Sequence, residues 1–136
     1  MYLLDTNVLS QLVRKRTPVG LTDRLRHHAN QTLFTSCICV MELRHGAMRR
    51  DDHGALWSRI EREILARVEI LGLGVDDAVI AGDVLAHLWS RGRVIDVEDV
   101  LIGATALARD LTVVTNNLDH FRRIPRLRVE DWTAAP

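Results

Sequence analysis

Three acids and a pair of amides stand where a sheet-based enzyme would hold a metal. Asp5 follows the apolar run 1–4. Glu42 comes about one and a half helical turns after the run Thr32–Thr35. Asp99 precedes the apolar stretch Leu101–Ala108, and Thr115-Asn116-Asn117 follows Leu111–Val114, with Asp119 two residues on. Carboxylates held close together repel and do not all stay ionised unaided. A divalent cation with a preference for hard oxygen relieves that repulsion. An all-oxygen donor set leaves water on the ion, which suits Mg²⁺ or, as a substitute, Mn²⁺. Such an ion lowers the pKa of a bound water and offsets charge on a phosphoryl group. The constellation therefore predicts hydrolysis of a phosphodiester.

Each residue alone has a plainer role. Asp5 or Thr6 can simply cap a helix. Asp99 can be a dipole-favoured acid in the first turn of a helix capped by Asp96. Asn116 and Asn117 can shape a turn. Glu42 is harder to dismiss, because a buried unpaired carboxylate is costly; its plain reading needs Arg44 as a partner. The joint pattern outweighs its members only if the chain brings them together.

That depends on the elements. Residues 1–4, 32–35, 68–71, 111–114 and 127–129 read as short strands. Between them run helical patterns: 6–13, 18–29, a helix capped by Ser36 carrying Val40, Leu43 and Ala47, 51–68, 76–91, and one opened by Asp96. Short apolar strands alternating with helices predict one α/β domain over residues 1–136. Its short, mostly parallel central sheet is flanked by helices on both faces. In such sheets ligands bind at the carboxyl ends of the strands, which is where Asp5 and Thr115–Asn117 fall.

The bulk properties bound the reading. A chain of 136 residues, 47% hydrophobic and 26% charged, matches an ordinary globule. No apolar run reaches the roughly 18 residues of a membrane span, and the N-terminus lacks a basic leader before an apolar stretch. Cys37 and Cys39, two apart, make a poor disulfide pair; a reduced, cytoplasmic setting fits. Eighteen basic and eighteen acidic groups cancel, which excludes a uniformly basic nucleic-acid coat. The charge is segregated, however: residues 1–50 carry net +5 and residues 51–100 net −6. Seventeen of the basic groups are Arg, whose planar fork suits phosphate; high-GC codon usage accounts for that bias equally well.

Four segments in order resemble the motifs of PIN-domain ribonucleases, and most closely the VapC-type toxins of bacterial toxin–antitoxin pairs. They are Leu3-Leu4-Asp5-Thr6-Asn7, Met41-Glu42-Leu43-Arg44-His45-Gly46, Asp99-Val100-Leu101-Ile102-Gly103-Ala104-Thr105-Ala106, and Val114-Thr115-Asn116-Asn117 with Phe121. The resemblance runs from Tyr2 to Trp132. It implies a PIN-like fold and a Mg²⁺-dependent endoribonuclease. Asp5 and Asp99 would bind the metal, and Glu42 would complete the acidic cluster. Asn117 would match a polar position of the last motif. Thr6, Arg44 and Thr115 would bind substrate, Thr6 holding either Asp5 or the RNA. The resemblance also implies a homodimer, a cognate antitoxin, and RNA as substrate, with transfer RNA leading. Arg44, Arg49 and Arg50, and Arg122, Arg123, Arg126 and Arg128, are the candidate phosphate contacts.

One position departs from the pattern. Family members often carry a fourth acid just before the Phe; here that place is His120, with Asp119 one residue earlier, so the fourth site residue stays open among Asn117, Asp119 and His120. His120 reads most simply as a solvated surface His, with a role in proton transfer as the alternative. Rival classes fit less well. A haloacid-dehalogenase-like phosphatase wants an acid at Asn7. A receiver domain wants a Lys after the last long strand, whereas the single Lys, Lys15, falls in the first helix. An inactive PIN-fold module that only binds an antitoxin is the remaining alternative. Trp57 and Trp89 read as core or interface, Met41 and Met48 as packing, and Cys37 and Cys39 as core cysteines.

Overall fold

The strands are β1 (Tyr2–Leu4), β2 (Leu33–Ser36), β3 (Glu69–Leu71), β4 (Thr112–Val114) and β5 (Val129–Glu130). The helices are α1 (Thr6–Gln11), α2 (Val19–His27), α3 (Cys37–Met48), α4 (His53–Glu63), α5 (Val75–Ser90), α6 (Val97–Ala108) and α7 (Leu118–Arg122). These come from a computed structural model, which describes residues 1–14 and 16–133. The sheet order is β3-β2-β1-β4-β5. All four strand pairings are parallel, so the sheet expected to be mostly parallel is wholly so.

That order has a functional consequence. From β1 the chain steps outward through β2 to β3, then returns past β1 to β4 and β5. Right-handed crossovers in opposite directions place their helices on opposite faces. The direction reverses between β1 and β4, where Leu4 lies beside Val114. Such a reversal leaves a crevice at the carboxyl ends of the two strands.

Local signals explain the helix starts that line this crevice. Asp5 has extended backbone and accepts a hydrogen bond from the Thr6 N–H, so it caps α1. Ser36 ends β2 and caps α3 by accepting from the Ile38 N–H at 3.0 Å. Under the crevice the core is largely apolar: Leu3, Leu4, Val8, Leu9, Val100, Ile102, Val113, Val114 and Phe121 are fully buried. Gly103 lets Ile124 lie directly on α6, since a Cβ there would sit 2.5 Å from Ile124 Cδ1.

Several expectations shift. The helix expected over 51–68 ends at Glu63 and continues as a 3-10 turn at Leu65–Arg67. The last strand is Val129–Glu130 rather than 127–129. The short α7 carries Phe121 into the core and was not expected, because five residues are too few to show a helical period. Met41 and Met48, expected to pack, are 50% and 45% exposed, and Trp89, read as core or interface, is outside the core at 79% exposed. The expected placement of Lys15 in the first helix lies outside the described residues. Among the described residues no helix is long and apolar enough to cross a membrane.

Candidate metal centre

Asp5 leaves β1 at the crevice. Its backbone N–H donates to the Val114 carbonyl at 2.9 Å, which extends the β1–β4 pairing by one residue and fixes where the side chain begins. One carboxylate oxygen accepts from the Thr6 N–H at 2.8 Å and the other from the Thr115 hydroxyl at 2.8 Å. Asp5 is nevertheless almost completely buried. Burial, with the nearby charges of Asp99 and Glu42, outweighs these two bonds and raises its pKa from 3.8 to about 6.

Glu42 reaches the same place from the middle of α3. Its partner is the Thr6 hydroxyl, which donates to Oε1 at 2.6 Å. Arg44, the partner its plain reading required, stands elsewhere: its guanidinium lies 5.0 Å from the centre of the Trp57 ring, and Arg44 is exposed. Burial again raises the Glu42 pKa, assisted by Asp99, Glu98 and Asp96. Asp99, in the first turn of α6, meets His120 of α7, with Nδ1 2.8 Å from Oδ2. His120 is thus no free surface side chain; its ring is 30% exposed and tied to an acid of the cluster.

Among the described residues two groups of donor atoms result. Asp5, Cys39 and Glu42 offer ligand atoms within 4.8 Å of one another, and so do Asp96, Asp99 and His120. The Cys39 thiol is not available as a thiolate, because burial and Asp5 push its pKa to about 11. It points to the Leu4 carbonyl, as does Thr35, whose hydroxyl donates at 2.8 Å. The remaining donors are mostly carboxylate oxygens, and neighbouring acids add to the burial that raises the pKa values of Asp5 and Glu42. That donor set fits a hard divalent cation, which would offset the charges that now repel.

The polar neighbours of Asp5 differ in kind. Thr115 is fully buried, and its hydroxyl both donates to Asp5 and accepts from the Asn117 N–H at 2.9 Å. The hydroxyl expected to meet substrate is therefore committed to the carboxylate. The Thr6 hydroxyl likewise goes to Glu42. Asn117 stands at the start of α7 and is half-buried. Of the expected phosphate contacts, Arg50, Arg123 and Arg128 are engaged with Asp52, Asp119 and Asp110. Asp96 was not expected in the cluster, whereas His120 was one of three candidates, with Asn117 and Asp119, for its fourth residue. Asp96 looked like a cap, yet its side chain makes no capping bond. Its three-residue spacing from Asp99 on a helix was the available signal.

The PIN-domain family model matches residues 2–127. The chain belongs to the PIN-domain family. Within it the chain is 32% identical over 133 residues to ribonuclease VapC2 of Rickettsia felis, covering 97% of this chain and 98% of that protein. It is 31% identical over 131 residues to the tRNA(fMet)-specific endonuclease VapC of Salmonella typhimurium, covering 96% and 97%. Among solved PIN-domain structures, VapBC2 of Rickettsia felis bound to a DNA fragment from its promoter matches with a TM-score of 0.89 at 30% identity, over 96% of this chain and 98% of that one. DNA-bound VapBC of Salmonella typhimurium matches at 0.87 and 33% identity, over 96% and 97%.

Proposed function

We propose that the protein is a metal-dependent endoribonuclease and the toxin of a type II toxin–antitoxin pair. It acts as a homodimer, is held by a cognate antitoxin, and arrests translation by cutting RNA, with transfer RNA the first candidate. The observation that carries this reading is the convergence of Asp5, Glu42 and Asp99, from three separate elements, on the crevice where the sheet reverses direction. The relatives named ribonucleases, and the solved complexes of VapC with its partner, support it.

Asp5 and Asp99, completed by Glu42, would hold Mg²⁺, or Mn²⁺ in its place. When bound, such an ion supplies Lewis acidity and an acidified water. The chain's own residues do the rest. Thr115 and the Thr6 N–H orient the two oxygens of Asp5. The Thr6 hydroxyl fixes Glu42. His120 holds one oxygen of Asp99, and Asn117 stands at the crevice rim. Arg44 remains exposed for an RNA phosphate, with Trp57 holding its guanidinium in place.

Expression of the protein alone, against co-expression with its neighbouring small open reading frame, tests the biological role. Growth arrest with loss of intact tRNA, relieved by the neighbour, is expected. Harmless accumulation of soluble wild-type protein would contradict it.

A further inference from the structure

We infer that the C-terminal segment Glu130–Thr133 is a clasp that positions the Thr115–Asn117 loop, and through it Asp5. The inference deepens the nuclease reading and rests on it for the consequence to catalysis.

The clasp has an anchor and a reach. β5 has only two residues and lies at the edge of the sheet, so it holds itself weakly. The anchor is Trp132, 1% exposed. Its ring stacks on His28 at 4.9 Å and meets Tyr2 of β1 edge-on at 4.9 Å. Its indole N–H donates to Glu130 at 3.2 Å. The reach is polar. The Thr115 N–H donates to the Glu130 carbonyl at 3.0 Å. The Thr133 hydroxyl shares its one proton between Asn116 Oδ1 at 2.9 Å and Asp131 Oδ1 at 2.6 Å. On the far side of the loop, the Asn116 N–H donates to Asn7 Oδ1 at 3.2 Å. The loop is gripped from both sides, and its Thr115 hydroxyl, engaged as donor and acceptor at once, sets one oxygen of Asp5. Thr133 and Trp132 are thus positioning residues. Small misplacements at a reacting centre are expensive in rate.

Thr133→Val removes the hydroxyl and keeps the shape; Thr133→Ser restores it. Three readouts apply: amide hydrogen exchange at Thr115–Asn117, Mn²⁺ affinity by calorimetry, and cleavage of a structured RNA. For Thr133→Val we expect faster exchange at the loop, Mn²⁺ binding several-fold weaker, and a kcat about 10-fold lower at unchanged KM. The melting temperature should stay near wild type, and Ser should rescue all three. Trp132→Phe should move the three readouts the same way. Unchanged exchange and Mn²⁺ affinity in Thr133→Val, or failure of Ser to rescue, would overturn the clasp. If wild-type protein cuts no RNA, the nuclease reading fails, while exchange and Mn²⁺ affinity still decide the clasp.

Discussion

Thr115 and Asp5 are 110 residues apart in the chain and meet in a buried 2.8 Å hydrogen bond between hydroxyl and carboxylate. The bond joins the residues that directly follow two adjacent parallel strands, across the reversal point of the sheet. It also opposes the burial that lifts the Asp5 pKa. Thr115→Val should therefore raise that pKa above about 6 in metal-free protein. An NMR titration of the carboxyl carbon reads it directly. Cation affinity at neutral pH should weaken by several-fold, with little change in melting temperature.

Asp5 itself lowers the stability of the metal-free fold at neutral pH. Its folded pKa is raised from 3.8 to about 6, so the folded state prefers the protonated form. Its contribution is most favourable below pH about 4 and is lost as pH rises through 6. The full shift corresponds to about 3 kcal/mol. Asp5→Asn, measured without metal, should raise the melting temperature at pH 7.5, and the gain should shrink towards pH 4. Activity in the variant should be abolished. Thermal melts across that range check the sign.

Cation binding should show the same proton. Below pH 6 a proton occupies Asp5 and competes with the ion, so affinity should fall as pH drops through that value. Calorimetry of Mn²⁺ binding at pH 5.5 and 7.5, in buffers of different ionisation enthalpy, should show weaker binding and more proton release at the acid end only if Asp5 is a ligand or touches one.

Away from the crevice, Arg109 ties α6 to α5. Asp77 is buried and accepts from Arg109 at 2.8 Å and from the Gly74 N–H at 2.7 Å. Burial pushes its pKa up, but the two donors outweigh it and leave it lowered. Arg109→Leu should cost about 3 kcal/mol at pH 7, the low end for breaking a buried pair, since Arg109 is itself partly exposed. The cost should diminish as pH falls and Asp77 protonates. Urea melts at pH 7 and pH 4 measure both.

The acids were legible because the fold is legible. Apolar runs such as Leu3-Leu4 and Val113-Val114 announce buried parallel strands, and the rule for their carboxyl ends points straight at Asp5 and Thr115. What the residues alone could not show was which polar group takes which partner. Glu42 reads as needing Arg44 because the two are near in sequence, but the partner is Thr6, brought close only when α1 and α3 pack together. His120 reads as a surface residue because α7 is too short to leave a pattern, yet that one turn carries it to Asp99. The C-terminal grip on Asn116 was hidden for the same reason: it joins segments with no shared periodicity.

Cleavage of a structured RNA by pure protein, with Mg²⁺ or Mn²⁺ and with excess chelator, tests the central claim most directly. Wild type should cut with either ion and stop with chelator, and Asp99→Ala should lose about 100-fold or more of the rate, as removal of a group acting in the transition state does. Cleavage that survives full chelation, or an Asp99→Ala variant as active as wild type, would contradict the account.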